Sequence, residues 1–270
     1  MPSFHLVDAF SAVPFAGNPA GVVVLDAGPV DATWAQQLAA EIGASETAFV
    51  HPDGDAWRLR WWTPAAEVAL CGHATLATAH VLFEADAVPP DSACRFQTRS
   101  GELRVVRRRR PDGEVLAMDL PAWPLGEHAE PQPLARALGG ADGRYLGRTR
   151  TEQPNDVVEV ASAATLDAIE PDLAAVRALG VTGLIVTAEG EGEVDLVSRY
   201  FAPSVGVDED PVTGSAHSTL GPLWATRLGR RQLLAEQRSP RGGRLHLDVG
   251  DERVEVGGHA VTVIRGEVAT

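Results

Sequence analysis

Side chains that can exchange protons or act as nucleophiles, Glu46, Cys71, His73, Asp210 and Ser215, stand in two short groups of residues. Glu46 lies in Ser45-Glu46-Thr47 at the mouth of an apolar run. His73 follows a glycine in Cys71-Gly72-His73-Ala74-Thr75. Asp210 and Ser215 flank a second glycine turn, Asp210-Pro211-Val212-Thr213-Gly214-Ser215-Ala216-His217. A carboxyl group in a desolvated cleft has a raised pKa, which suits a residue that both removes and returns a proton. An imidazole beside it can relay or orient that proton near neutral pH. Cys71 brings a competing chemistry, because a thiol at a helix N-terminus can have a lowered pKa and act as base or nucleophile.

Each of these residues also has a plain structural use. A lone glutamate is most often a capping or surface group. His73 can cap the helix that opens at Cys71-Gly72, Asp210 before its proline can serve as an N-cap, and the Ser215 hydroxyl can hold either backbone or substrate. A free cysteine is most commonly a small buried hydrophobe. Asp8, Asn18, Pro19 and the aromatic pairs Trp61-Trp62 and Tyr200-Phe201 read as structural, with Asn18 at the edge of the cleft. His217 reads as a packed polar group on its helix.

The elements that must position these groups occur twice. Arg60-Trp61-Trp62-Thr63-Pro64 aligns with Arg199-Tyr200-Phe201-Ala202-Pro203 at an offset of 139 residues, and Gly72-His73-Ala74 aligns with Gly214-Ser215-Ala216 at 142. Gly101-Glu102-Leu103 meets Gly243-Arg244-Leu245 at 142 again. Matches in order at nearly constant offset indicate a duplication, in which each half carries strands, a proline-ended loop and a glycine turn into an apolar helix. The first of these helices, over His73 to Phe83, is apolar nearly all round and should be buried. The second, over Ser215 to Leu228, contains Pro222, which must kink it or delay its start.

The expected architecture is α/β (α+β), with two pseudo-symmetric domains, each a curved, mostly antiparallel sheet around a central helix. A proline-rich stretch from Pro121 to Pro133 marks the boundary. Residues 1–120 then form an N-terminal domain with the general base, and 121–270 repeat the fold, the last strand crossing back to the first domain. Facing helix N-termini, with Gly72 and Gly214 allowing close backbone approach, suit a substrate carboxylate. The halves differ where chemistry would occur: Glu46 aligns with Ile185, Cys71 with Thr213 and His73 with Ser215. Unsymmetric polar groups on a symmetric scaffold point to one-sided acid–base chemistry, carried by the first half.

Composition removes several function classes. The 270 residues are 44% hydrophobic, enough for a sizeable core, and a net charge of −14 argues against nucleic acid or an anionic membrane as partner. The basic run Arg107 to Arg110 precedes the turn Pro111-Asp112-Gly113 and reads as a solvated hairpin end. Two cysteines make neither a disulfide framework nor a zinc ligand set. Without a signal-peptide pattern or a membrane-length apolar run, a soluble cytoplasmic protein is expected.

Val7-Asp8-Ala9-Phe10, Gly17-Asn18-Pro19-Ala20, Ser45-Glu46-Thr47-Ala48-Phe49, the Cys71 to Thr75 turn and the Glu209 to His217 turn resemble the PhzF-like family of phenazine-biosynthesis isomerases. Gln237-Arg238-Ser239 and Arg241-Gly242-Gly243 fit the same pattern. The resemblance covers almost the whole chain and implies the diaminopimelate-epimerase-like fold in a homodimer. It implies an isomerase without cofactor or metal, acting on a small carboxylated substrate, cyclic ones included, as in isomerisation of trans-2,3-dihydro-3-hydroxyanthranilate. Glu46 would be the general acid/base, assisted by His73, Asp210 and Ser215. Gly72 and Gly214 would line the carboxylate site, with Cys71, Thr213 and Asn18 also near substrate. Related racemases on this fold use a cysteine from each half. Thr213 takes the second position here, so a two-base racemase is not expected. A Cys71-dependent epimerase or dehydratase of an amino or hydroxy acid stays open, as does a non-enzymatic small-molecule-binding protein.

Overall fold

The computed structural model describes residues 1–269. The chain divides into two compact units, Met1–Asp119 with the segment from Gly257, and Leu120–Val256. Up to the division lie β1 (Ser3–Ala9), β2 (Asn18–Val24), α1 (Ala32–Ile42), β3 (Glu46–Asp53), β4 (Ala56–Trp62), β5 (Glu67–Val68), α2 (Gly72–Glu84), β6 (Cys94–Thr98), β7 (Gly101–Arg110) and β8 (Gly113–Pro121). Then come β9 (Leu125–Gly126), α3 (Leu134–Ala137), β10 (Arg144–Thr149), β11 (Asn155–Glu159), α4 (Ala163–Asp167), α5 (Leu173–Ala178), β12 (Gly183–Glu189) and β13 (Leu196–Phe201). The last elements are α6 (Gly214–Leu228), β14 (Gln232–Gln237), β15 (Gly243–Val249), β16 (Arg253–Gly258) and β17 (Ala260–Glu267). β17 pairs antiparallel with β1. The fold class is α/β with mostly antiparallel strands, as the pattern predicts.

In the first unit, α1 begins where the Asp31 carboxylate accepts the Trp34 N–H at 2.8 Å, and it ends at Gly43, whose φ of 70° is left-handed. Its apolar face covers Val23, Phe49 and Trp62, with Trp34 and Trp62 edge-on to the Phe49 ring at 5.6 and 5.1 Å. Asp31→Ala is therefore expected to lower the unfolding free energy by about 1 kcal/mol, measured by urea denaturation, without changing activity. α2 packs against β1, β2, β3 and β17, and ten of its thirteen residues are buried. No helix among the described residues is long and apolar enough to cross a membrane.

The duplication extends to side chains. Arg60 binds both carboxylate oxygens of Glu67 at 2.9 and 3.0 Å and lies 4.5 Å over the Trp62 ring. In the second unit Arg199 grips Glu209 at 2.7 and 2.9 Å and lies 4.8 Å over Phe201. Trp57 pairs in parallel with Phe96, and Leu196 with Ala235, at the same offset as Arg60 and Arg199.

One correspondence expected from the gapless alignment is corrected by the register. Trp62 lies opposite Thr47, whereas its counterpart Phe201 lies opposite Leu184. Glu46 therefore corresponds to Gly183, not Ile185. The turn between β12 and β13 is longer than that between β3 and β4, which shifts the earlier strand. A Cβ on Gly183 would stand 2.5 Å from the Tyr200 ring, so an aromatic ring fills the space at the position equivalent to Glu46. The asymmetry between the halves survives in a different form, glutamate against glycine.

Two other expectations are narrowed. α6 starts at Gly214 with Pro222 inside it, so the proline does not delay the helix. The Ser218 carbonyl, which an N–H at 222 would have bonded, instead accepts the Trp123 N–H at 3.0 Å. The basic run does lie at the β7–β8 hairpin, where Arg110 faces Gly113. Arg107, however, is not a solvated end: its guanidinium lies 4.6 Å over Phe83 and 3.3 Å from Glu114.

Candidate functional site

Glu46 opens β3, with Ala20 of β2 as its parallel neighbour. Asn18, fully buried, begins β2 opposite Ala9. On the other side of Glu46, the Ser45 hydroxyl donates to the Pro19 carbonyl at 3.4 Å and lies 3.3 Å from His73 Nε2. That same nitrogen is 3.3 Å from Glu46 Oε2, the two side chains being 8% and 19% exposed. His73 Nδ1 is 3.5 Å from Cys71 Sγ. The structure thus brings Glu46, Cys71 and His73 together with Ser45.

Burial pushes the Glu46 carboxyl above its ordinary pKa, and hydrogen bonding with the Ser45 and Cys71 side chains draws it part of the way back. A carboxyl held this way can both accept a proton and give it up. Cys71 is the N-cap residue of α2, but its thiol makes no capping bond, and its carbonyl is held by the Thr75 hydroxyl at 2.6 Å. Gly72 opens the helix beneath Met118: a Cβ there would meet the Met118 methyl at 3.2 Å.

The second unit builds its turn differently. The N-cap of α6 is Thr213, so Asp210 is not the cap. Instead the Thr213 hydroxyl donates to the Asp210 carboxylate in a short bond. Gln237, fully buried on β14, ties this loop together: its Oε1 accepts the Thr213 N–H at 2.8 Å and its Nε2 donates to the Asp210 carbonyl at 2.7 Å. Sequence patterns place Gln237 in a motif but give it no task. Its task is visible only in the register that carries β14 to the loop. Ser215 follows Gly214 in the first turn, half-buried.

His217 is wholly buried, and burial pushes its pKa down to about 4, so it is neutral. It donates through Nδ1 to the Thr213 carbonyl at 2.8 Å, the counterpart of Thr75 on Cys71. It is a packed polar group, as its place on the helix suggests. Cys94 is sealed, its thiol pushed up to about 12 by burial, which leaves Cys71 as the thiol with polar neighbours. The donor atoms of Glu46, Cys71 and His73 lie within 4.8 Å of one another, a spacing that can also hold a metal ion.

Comparison with known proteins places these turns in a wider setting. The family described as phenazine biosynthesis-like protein, PhzC-PhzF, matches residues 7–266. A protein of Pseudomonas aeruginosa named as an uncharacterized isomerase is 49% identical over 265 residues, 98% of this chain and 97% of that one. The crystal structure of a PhzF-family phenazine biosynthesis protein from Enterococcus faecalis superposes with a TM-score of 0.90 at 38% identity, covering 100% of this chain and 99% of that one. A hydroxyproline epimerase from Agrobacterium vitis, crystallised with trans-4-hydroxy-L-proline, shares the fold alone, with a TM-score of 0.64 at 12% identity over 98% of this chain and 91% of that one. With the match running through both glycine turns in sequence and in backbone, the chain belongs to the PhzC-PhzF family of phenazine biosynthesis-like proteins.

Proposed function

We propose that this protein is an isomerase that moves a proton between carbons of a small carboxylated substrate, with Glu46 as the group that takes and returns it. The observation that carries this reading is the largely buried Glu46 carboxyl beside His73 and Ser45 at the opening of α2, where the second unit has Gly183. Ionised Glu46 accepts the proton of an activated C–H bond, and the bonding electrons pass into the adjoining unsaturated system. The resulting carboxylic acid then delivers the proton to a different carbon. Nothing is gained or lost overall, so the reaction needs no redox partner.

His73 and Ser45 are placed to orient the Glu46 carboxyl during both transfers. In the second unit, Gln237 holds the loop that carries Asp210. Free N–H groups at a helix N-terminus favour a carboxylate. The first candidate substrate is trans-2,3-dihydro-3-hydroxyanthranilate, followed by other cyclic amino and hydroxy acids.

The test is solvent-deuterium incorporation across that panel, in chelator-treated buffer, followed by mass spectrometry. Deuterium entering a substrate or its isomer supports the reading, while tight binding with no exchange across the panel would favour a binding protein. The 3.5 Å approach of Cys71 Sγ to His73 Nδ1 favours a second reading, in which the thiol is the reacting group. Under the Glu46 reading Cys71→Ser keeps exchange within about tenfold of wild type, because a serine preserves the hydrogen bond and caps the helix. Complete loss in Cys71→Ser, with exchange retained in Glu46→Gln, would transfer the role to the thiol.

A further inference from the structure

Glu46, Cys71 and His73 are a set of metal donors as well as an acid–base set. A carboxylate oxygen, a sulfur and an imidazole nitrogen converge within 4.8 Å, on a strand start, an N-cap and the first turn of a helix. Zinc binds such atoms at roughly 2.0–2.3 Å, so neighbouring ligands around a tetrahedral ion stand about 3.3–3.6 Å apart. His73 Nε2 and Glu46 Oε2 are already 3.3 Å apart. The same nitrogen is 4.0 Å from Cys71 Sγ, so the sulfur has only a few tenths of an ångström to close. Ser45 Oγ lies 3.3 Å from the same nitrogen. Three protein ligands are the number that zinc sites with an open fourth position use, one fewer than closed structural sites.

We propose that the Glu46–Cys71–His73 cluster binds a zinc ion, and that zinc switches off the proton chemistry assigned to Glu46. Binding breaks the Cys71 S–H bond, forms a sulfur–zinc bond and releases the proton to solvent, with no change of oxidation state. Zinc then holds the Glu46 oxygen that would accept the substrate proton. The positive end of α2 opposes a cation, so binding depends on the two anionic ligands together. The inhibitory part of the proposal rests on the Glu46 reading of function, whereas the binding part does not.

Cobalt(II) provides the test, because a cobalt–thiolate bond has its own near-ultraviolet absorption and needs no substrate. Metal-free protein titrated with cobalt is expected to develop that band to saturation at one equivalent. Cys71→Ser should lack it, Cys94→Ala should keep it, and His73→Asn should need at least tenfold more cobalt. Zinc should erase the band and stop deuterium exchange, and EDTA should restore exchange. A wild type without the band, a band that survives in Cys71→Ser, or exchange undiminished at saturating zinc would overturn the proposal. A normal band without exchange on any substrate would instead refute the isomerase reading and leave the metal site standing. Exchange without a band would do the reverse.

Discussion

Glu46→Gln should yield a protein that is folded, slower in turnover by about 10²–10⁴-fold, and more stable than wild type in mild alkali. The loss follows because glutamine keeps the shape and polarity of the side chain but cannot carry the proton. The gain follows from burial, which raises the carboxyl pKa in the folded state. Folded Glu46 thus holds its proton to higher pH than the unfolded chain does. Its contribution to stability is fully present below the unfolded pKa and is lost as pH rises through the folded pKa. Glutamine removes that dependence. The Tm difference between variant and wild type should widen as pH rises above the ordinary glutamate range, by about 2–4 °C for each kcal/mol involved. A variant that melts lower than wild type at alkaline pH would show that the fold stabilises the carboxylate as an ion, against burial as its main influence.

Glu209→Ala should lower stability by about 3–5 kcal/mol. Arg199 and Glu209 are only 11% and 17% exposed, and the pair is bidentate. The remaining guanidinium nitrogen donates to the Leu166 and Ile169 carbonyls at 3.3 and 2.8 Å, which pins the arginine in place. Without Glu209 a buried cation loses its counter-charge and cannot swing out to water without breaking those bonds. Glu209 also precedes Asp210, so the loop tied by Gln237 should loosen and turnover should fall with stability. The equivalent Glu67→Ala should cost less, since Arg60 and Glu67 are 24% and 18% exposed and Arg60 can recover some hydration. Urea denaturation of both variants decides this. A Glu209→Ala cost below about 1 kcal/mol would mean the pair behaves as a surface ion pair.

The repeated Arg-aromatic-aromatic frame was legible because each copy must do the same packing job: the arginine lies over an aromatic ring and grips a glutamate a few residues on. The glycine turns were legible because each opens a helix among apolar residues. The partner of Glu46 was not, because equivalence across a hairpin depends on turn length, and only strand pairing shows that Gly183 is the true counterpart. Gln237 and the Trp123–Ser218 bond were hidden for a related reason. Both are long-range satisfactions of backbone groups, and a hydrophobic pattern records which face is buried but not which donor reaches it. Arg107 was misread because a charge run suggests solvent, while its stem and guanidinium cover the Phe83 ring.

Deuterium exchange by wild type and Glu46→Gln, measured side by side in chelator-treated heavy water, tests the central claim most directly. The account predicts that wild type places solvent deuterium on a carbon of a carboxylated substrate and that Glu46→Gln does so about 10²–10⁴-fold more slowly, although it still binds that substrate. Equal deuteration by the two proteins would contradict it.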